Sequence, residues 1–173
     1  MKRREFLWEG GGLAAALWLP AGPAISAPVV EVAMAGRADG SRVWFDPMGV
    51  LIRPGQTVRW TNTDKGNSHS ATAYAPENFD HPRRIPDGAK PFSSDYLLPG
   101  ETFEVTLTVA GVYDYFCIPH ELAGMVGRIV VAKPGSGGGF AGYPDQGLDP
   151  AILAGFAPVA DILRQGAIPG REG

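Results

Sequence analysis

The stretch of sequence that decides the fold reads Gly111-Val112-Tyr113-Asp114-Tyr115-Phe116-Cys117-Ile118-Pro119-His120-Glu121-Leu122-Ala123-Gly124-Met125-Val126-Gly127. It supplies a thiol at Cys117, an imidazole three residues later at His120, and a thioether five residues after that at Met125. One strand-like segment ends at the cysteine and another begins at the methionine, while Pro119 and Gly124 restrict the conformations between them. The pattern predicts a strand, a tight loop and a returning strand, with three metal-ligating side chains presented by one loop.

A fourth ligand has to come from elsewhere in the chain. His69 is the candidate, because it follows the turn-forming residues 64–67 at the start of another strand-like segment. Thiolate and thioether are soft ligands, and two imidazoles, one thiolate and a weak axial methionine form the site of blue copper proteins. Zinc usually takes further cysteine, histidine or carboxylate ligands, and haem attachment needs a second cysteine. We therefore predict one type 1 copper ion, cycling between Cu(I) and Cu(II), at His69, Cys117, His120 and Met125.

The residues around this loop form short strand-like segments separated by turn residues. Eight such segments are predicted, at residues 29–34, 42–46, 50–53, 56–61, 70–74, 102–109, 112–117 and 126–132. Apolar and polar residues alternate within them, which places Val58 and Trp60 on one face of their strand. Trp44 and Trp60 are expected in the core. Regular short strands with turns between them predict an all-β antiparallel sandwich or barrel.

The pattern Gly-x-Tyr-x-Tyr-x-Cys-x-Pro-His-x-x-x-Gly-Met-x-Gly at residues 111–127 resembles the copper loop of the plastocyanin, pseudoazurin and halocyanin type of cupredoxin, a blue copper protein. The upstream His69 is also similar in kind and order, and the resemblance covers residues 29–132. It implies an eight-stranded Greek-key β-sandwich with the copper at one end. It also implies that His120 is the partly exposed ligand through which electrons pass, while Cys117 and His69 lie deeper.

The chain departs from the plant plastocyanin pattern in ways that bear on function. Glu121 and Leu122 occupy loop positions where a basic or amide residue and a glycine are common. Ser70 follows the first histidine where asparagine is frequent, so different hydrogen bonds and a shifted reduction potential are expected near Cys117. Phe116 replaces a tyrosine and is predicted to face opposite to Cys117. The acidic docking patch of the plant proteins is not recognisable, so the resemblance does not imply a photosynthetic partner.

Residues 1–26 are predicted to be an export signal. Arg3 and Arg4 lie in a charged start, a short run of glycine, alanine and leucine follows, and small residues at 24–26 form a cleavage site that leaves Ala27 first. The apolar run is well short of the roughly 20 residues that span a bilayer. The order of these features resembles a twin-arginine (Tat) signal. It predicts a periplasmic protein with no stable membrane span once the signal is removed.

Residues 27–133 are interpreted as one cupredoxin domain, and residues 134–173 as a flexible linker followed by a short helical tail. The linker assignment rests on the glycine-rich run at its start. Asp149 is a helix N-cap followed by proline, and two short helices are predicted at 151–156 and 158–165. Helices of this length are not stable alone, so they must pack on the domain, pack on a partner, or stay disordered. One hypothesis makes the tail a docking element for a redox partner.

Cys117 and His81 each need an interpretation of their own. Cys117 is the one cysteine of the chain, so no intramolecular disulfide forms. An exposed thiol in an exported protein is open to oxidation, so Cys117 is expected to be buried or bound. His81 lies in the long proline-rich connection 75–92 and is expected to be solvated. A second metal site at His81 and Asp80 is the weaker alternative.

Composition narrows the function further. The net charge of −3, with no basic patch around the aromatic residues, gives no support to nucleic-acid binding. A copper delivery or storage protein is the alternative function, but it would carry Met-rich or His-rich tracts, and the chain has four methionines and three histidines. A copper oxidase or nitrite reductase needs further copper centres with many more histidines, so the chain is predicted not to be an enzyme. The sequence favours a monomeric electron carrier between redox proteins, whose identity it does not give.

Overall fold

The computed structural model describes residues 28–133 and 139–171, so the predicted export signal and most of the predicted linker lie outside the described residues. The strands, in chain order, are β1 (Val30–Gly36), β2 (Val43–Asp46), β3 (Gly49–Ile52), β4 (Gln56–Asn62), β5 (Thr72–Ala73), β6 (Thr102–Leu107), β7 (Gly111–Phe116), β8 (Val126–Val131) and β9 (Ala167–Ile168). They form a four-stranded sheet of order β2-β1-β4-β6 and a five-stranded sheet of order β5-β7-β8-β3-β9. The predicted eight-stranded all-β sandwich is confirmed, and the tail adds β9. The expectation of purely antiparallel pairing is wrong, because β1 pairs parallel with β4 and β3 pairs parallel with β8.

The core lies between the two sheets, because alternate residues of each strand point inward. On β4, Val58 and Trp60 are completely buried, as the alternation predicted. The Trp60 ring packs edge-on against Tyr115 of β7, with ring centroids 5.3 Å apart, and this contact joins the sheets. Trp44 was expected in the core but is only partly buried, because its neighbour Phe45 takes the inward position on β2.

The fifth strand is shorter than predicted. Residues 70–74 were expected to form a strand, but β5 is two residues long. This part of the chain is held instead by isolated bridges, which pair His69 with Leu97 and Thr72 with Ser93. The bridge at His69 consists of two backbone hydrogen bonds with Leu97, of 3.1 and 2.7 Å. The backbone of His69 is therefore fixed, although it lies outside a regular ladder.

The tail contains two short helices, α1 (Pro150–Gly155) and α2 (Val159–Gln165), and then β9. Asp149 caps α1 by accepting a hydrogen bond from Ala151 N, and Gly166 ends α2 with a positive φ of 80°. The predicted helix signals are thus confirmed. Strand β9 pairs antiparallel with β3, so the tail packs on its own domain. In the described part of the chain, no helix is long and apolar enough to cross a membrane.

The tail buries the outer face of the five-stranded sheet. All six residues of β7 and all six of β8 are buried, because the core covers one face and the tail covers the other. The apolar cluster on the tail side consists of Met48, Val112, Val130, Ala132, Ala157, Val159 and Ile162. Gly49 leaves room for this packing, since a Cβ there would lie 2.8 Å from Ile162 Cδ1. The described tail is an integral layer of the fold.

A buried group of three charges fastens the tail and the 75–92 connection to the sheet. Asp114 of β7 accepts hydrogen bonds from Arg128 Nε (2.6 Å) and from Arg84 Nε (2.9 Å). Arg128 also donates to the carbonyl of Ala157, and Arg84 donates to the carbonyl of Pro144. All three charged residues are less than a tenth exposed. Two cations and one anion thus link the sheet, the connection and the tail.

Candidate metal centre

The loop between β7 and β8 is a short 3₁₀ segment, Ile118–Ala123, interrupted at His120, whose φ of −127° is not helical. Gly124 ends the segment at a φ of 77°, which glycine adopts without strain. Backbone hydrogen bonds run from His120 N to Cys117 O (3.0 Å), from Cys117 N to Met125 O (3.0 Å) and from Met125 N to His120 O (3.2 Å). The three predicted ligand positions of this loop are therefore bonded to one another through their backbones.

Three of the predicted ligands converge at one point. The Nδ1 atoms of His69 and His120 lie 3.2 Å apart, and Cys117 Sγ lies 3.6 Å from His69 Nδ1 and 3.5 Å from His120 Nδ1. Within residues 28–133 and 139–171, this cluster is the one group of three or more histidine, cysteine, aspartate or glutamate side chains that could hold a metal ion. Among the same residues, no group of this kind forms around His81. Met125 is completely buried, and its backbone oxygen is bonded to Cys117 N.

The three donor atoms leave room for one metal ion. Since the edges of the triangle are nearly equal, a point equidistant from the three atoms lies about 2 Å from each. This is close to metal–nitrogen bonds of about 2.0–2.1 Å and slightly shorter than metal–sulfur bonds of about 2.3 Å. Two imidazoles with a thiolate are a ligand set that copper prefers. The residues present thus fit a copper ion, which His69, Cys117 and His120 would hold through two nitrogens and one sulfur. Met125, which is completely buried, would offer a thioether as a fourth ligand.

His69 is oriented by a buried carboxylate that the sequence analysis did not identify. Its Nε2 lies 3.0 Å from Asp64 Oδ2, and both side chains are buried. Burial lowers the pKa of His69, against the opposing effect of Asp64. The ring is therefore neutral at pH 7, and a proton on Nε2 satisfies Asp64 while Nδ1 keeps its lone pair for a metal. Burial also disfavours the Asp64 carboxylate, but hydrogen bonds from Asn67 and Gly66 outweigh it and lower the pKa of Asp64.

The side chain of Cys117 is completely buried. It accepts a hydrogen bond from Ser70 N at 3.3 Å, and Ser70 Oγ accepts one from Ile118 N at 2.7 Å. Ser70 therefore ties the sulfur and the loop to the segment that carries the first histidine. Burial raises the pKa of the Cys117 thiol to about 11, with the Ser70 contact opposing it. A metal ion that binds here must displace the thiol proton.

The ligands differ in their access to solvent. His69, Cys117 and Met125 are fully buried, whereas His120 is partly exposed. Burial is the main cause that lowers the pKa of His120. Leu122, two residues further along the loop, is 78% exposed. His120 is thus the predicted ligand nearest to the surface, beside an apolar side chain.

The 75–92 connection lies along the side of this site. His81, which was expected to be solvated, is partly buried, and its ring packs on Tyr74 and Phe116 with centroids 5.1 and 4.6 Å away. Its Nε2 lies 3.4 Å from Glu121 Oε2, and the Tyr74 hydroxyl donates to Glu121 Oε1 at 2.7 Å. Glu121 lies in the loop between β7 and β8, so these contacts join that loop to the 75–92 connection and to Tyr74 just before it. Phe116 packs away from the central core, on the side opposite to Cys117, as predicted.

The sequence matches one protein-family model and a set of similar proteins. Residues 31–132 match the model of copper-binding proteins of the plastocyanin/azurin family. The chloroplastic plastocyanin of Chlamydomonas reinhardtii is 41% identical over 98 residues, which are 54% of this chain and 62% of that protein. The plastocyanin of Scenedesmus fuscus is 39% identical over 98 residues, covering 54% of this chain and 92% of that one. The chain therefore spans less than two thirds of the first relative and most of the second.

The fold also matches solved structures. The pseudoazurin of Methylobacterium extorquens AM1 is 29% identical, with a TM-score of 0.50, and the match covers 61% of this chain and 76% of that one. The matched share of this chain is similar to the share that the family model covers. The sandwich is thus similar to that of a solved pseudoazurin.

Proposed function

Because the chain belongs to the plastocyanin/azurin family of copper-binding proteins, we propose that it carries single electrons at one type 1 copper ion held by His69, Cys117, His120 and Met125. The observation that carries this proposal is the triangle of one sulfur and two Nδ1 atoms, with edges of 3.2 to 3.6 Å. Bound copper supplies the exchange between Cu(I) and Cu(II). The chain supplies the fixed ligand positions.

The scaffold holds the donor atoms in place from several directions. Backbone hydrogen bonds fix the loop that carries Cys117, His120 and Met125, and the bridge to Leu97 fixes His69. A site held in this way changes little between oxidation states, so little reorganisation opposes electron transfer. His120 is the exit for the electron, because it is the one proposed ligand that reaches solvent.

Electron transfer is favoured over the alternative of copper delivery or storage. Delivery requires ligand exchange with another protein, and a partner must then reach the ligands. Three of the four proposed ligands are completely buried, and the fourth is only partly exposed. The partners of this proposal are redox proteins that dock a monomeric carrier and exchange an electron with it.

Replacing Cys117 by serine is the decisive test of the copper site. Titration of the purified chain with Cu(II) is expected to give an intense blue absorption at one copper per chain, with narrow copper hyperfine splitting in the EPR spectrum. Both signals should disappear in Cys117→Ser, because they require the thiolate. His81→Gln is the matched control and should stay blue, since His81 lies outside the triangle. Colourless binding that survives Cys117→Ser would overturn the proposed ligand set.

Export to the periplasm by the twin-arginine route is part of the same proposal. It is supported by the order of charged start, apolar run and small-residue site in residues 1–26. In a bacterial host, the mature chain beginning at Ala27 is expected in the periplasmic fraction. The double variant Arg3→Lys/Arg4→Lys should accumulate uncut in the cytoplasm, whereas Lys2→Arg, which keeps the pair, should be exported. Equal export of the lysine variant would refute this route.

A further inference from the structure

We propose that Asp64 is a positioning residue for the copper site, and that its buried carboxylate fixes the ring of His69 and lowers the reduction potential. This inference rests on the proposed copper function, and it adds a residue that binds no metal itself. Asp64 follows β4 in the turn that leads to His69. It is 5% exposed, and the imidazole that it faces is completely buried.

The contact with His69 determines which ring nitrogen faces the metal position. Asp64 Oδ2 lies 3.0 Å from His69 Nε2. Because a carboxylate can only accept, Nε2 carries the ring proton and donates a hydrogen bond to Asp64. The other nitrogen, Nδ1, then faces Cys117 Sγ and His120 Nδ1 with its lone pair. Rotation of the ring by half a turn about its bond to Cβ would break the contact with Asp64. The carboxylate therefore selects both the tautomer and the orientation that a metal needs.

Asp64 is itself held in a fixed position. Its Oδ1 accepts a hydrogen bond from Gly66 N at 2.9 Å, and its Oδ2 accepts one from Asn67 Nδ2 at 2.8 Å. Its own backbone N donates to Asn62 Oδ1 at 3.0 Å. The side-chain amide of Asn62, which is also buried, donates to the carbonyls of Asn67 and Leu97. The carboxylate thus accepts two hydrogen bonds from its own turn, in addition to its contact with His69, and further hydrogen bonds hold the turn itself.

The close contact between Gly36 and the Asp64 side chain independently indicates that the fold accommodates the carboxylate at this position. Gly36 is the last residue of β1, beside the turn that carries Asp64, and a Cβ there would overlap Asp64 Oδ2. It would also lie 3.3 Å from Val43 Cγ1. Only a residue without a side chain lets the carboxylate reach His69 from this side. The glycine at the end of β1 therefore leaves the space that the Asp64 carboxylate occupies.

The charge of Asp64 has a consequence for the copper. The carboxylate is one imidazole away from the metal position, in a buried site where charges interact more strongly than in water. A nearby negative charge stabilises Cu(II) more than Cu(I), because Cu(II) carries the larger positive charge. Asp64 therefore lowers the potential at which the site accepts an electron. A purely structural role in the turn would not produce this shift.

The test is the midpoint potential of the full-length, copper-loaded variant Asp64→Asn. The amide keeps the shape of the side chain but removes its charge. We expect the blue absorption to remain and the affinity for Cu(II) relative to Cu(I) to fall about tenfold, which for a one-electron couple is a rise of about 59 mV. Asp39→Asn is the matched control, since it removes an exposed carboxylate from the adjacent turn. It should leave the potential almost unchanged.

Gly36→Ala is a second variant that keeps the charge and moves it. The added methyl group should displace the carboxylate, weaken its contact with His69, raise the potential and alter the copper hyperfine splitting. In NMR spectra of the Cu(I) protein, the His69 Nε2 proton should exchange slowly in the wild-type chain and faster in Gly36→Ala. If Asp64→Asn does not fold, these two readouts decide the question.

The outcomes separate this inference from the function on which it rests. A blue Asp64→Asn protein whose potential equals that of the wild type would overturn the role of Asp64 and leave the electron carrier intact. An unchanged potential and unchanged proton exchange in Gly36→Ala would do the same. Failure of the wild-type chain to form a blue site would instead overturn the proposed function. A raised potential in both variants, with none in Asp39→Asn, would establish the inference.

Discussion

Replacing Asp114 by alanine is expected to destabilise the folded protein by about 3–5 kcal/mol, the range found when one partner of a buried ion pair is removed. Asp114 is fully buried between Arg84, which is 1% exposed, and Arg128, which is 7% exposed. Without the carboxylate, two buried guanidinium groups keep their charges and lose the shared acceptor. The total stability of a domain is about 5–15 kcal/mol, so this single change removes a large part of it.

The measurement is urea unfolding of the variant and the wild type, followed by tryptophan fluorescence. Glu104→Ala is the matched control, because Glu104 also forms an ion pair between elements, with Arg59, but both side chains are more than a third exposed. An exposed pair is worth about 0.2–1 kcal/mol, so the control should unfold at nearly the wild-type urea concentration. If Asp114→Ala loses no more stability than the control, the buried charges do not hold the fold in the way described.

The parts that could be predicted from the sequence depend on local patterns. The ligand spacing from Cys117 to Met125 lies within one loop, and a strand on each side fixes its direction. The strands follow from alternation, which two residues such as Val58 and Trp60 already reveal. The helix caps at Asp149 and Gly166 are equally local signals. Each of these predictions needed only residues that are close together in the chain.

The parts that were missed depend on contacts between distant residues. Arg84 lies in a polar connection and looks like an ordinary solvated residue, yet it is buried against Asp114, thirty positions away. Asp64 looks like a turn residue, and its function depends on where the ring of His69 points. One signal was available, since the run from Ile129 to Ala132 does not alternate. An uninterrupted apolar run is typical of a strand that is covered on both faces, and the tail is that cover.

Ending the chain at Lys133 is expected to abolish stable folding or to leave an aggregating protein. The four large apolar side chains that the tail buries are Ile152, Phe156, Val159 and Ile162. Full burial of such a side chain is worth about 1.5–3 kcal/mol, so the four contribute about 6–12 kcal/mol before the entropy of ordering the tail is subtracted. Truncation would also expose Val112 and Val130 on the sheet.

The truncation should also disturb the copper spectrum, because α1 packs directly on the β7–β8 loop that carries Cys117, His120 and Met125. A Cβ at Gly155 would lie only 2.7 Å from the Gly124 carbonyl oxygen, which shows how closely the two backbones approach. The docking hypothesis for the tail makes the opposite prediction. It expects an unchanged blue spectrum and slower electron transfer to the redox partner.

Point variants in the full-length chain separate these two predictions without removing the tail. Ile162→Ala should cost about 2–5 kcal/mol in urea unfolding, as for other buried isoleucines. Arg164→Ala, on the exposed side of the same helix, should stay within about 0.5 kcal/mol of the wild type. If the truncated chain remains soluble, blue and as stable as the full-length protein, the tail is not a structural layer. The docking hypothesis would then be the better account, because only transfer to a partner would be left for the tail to serve.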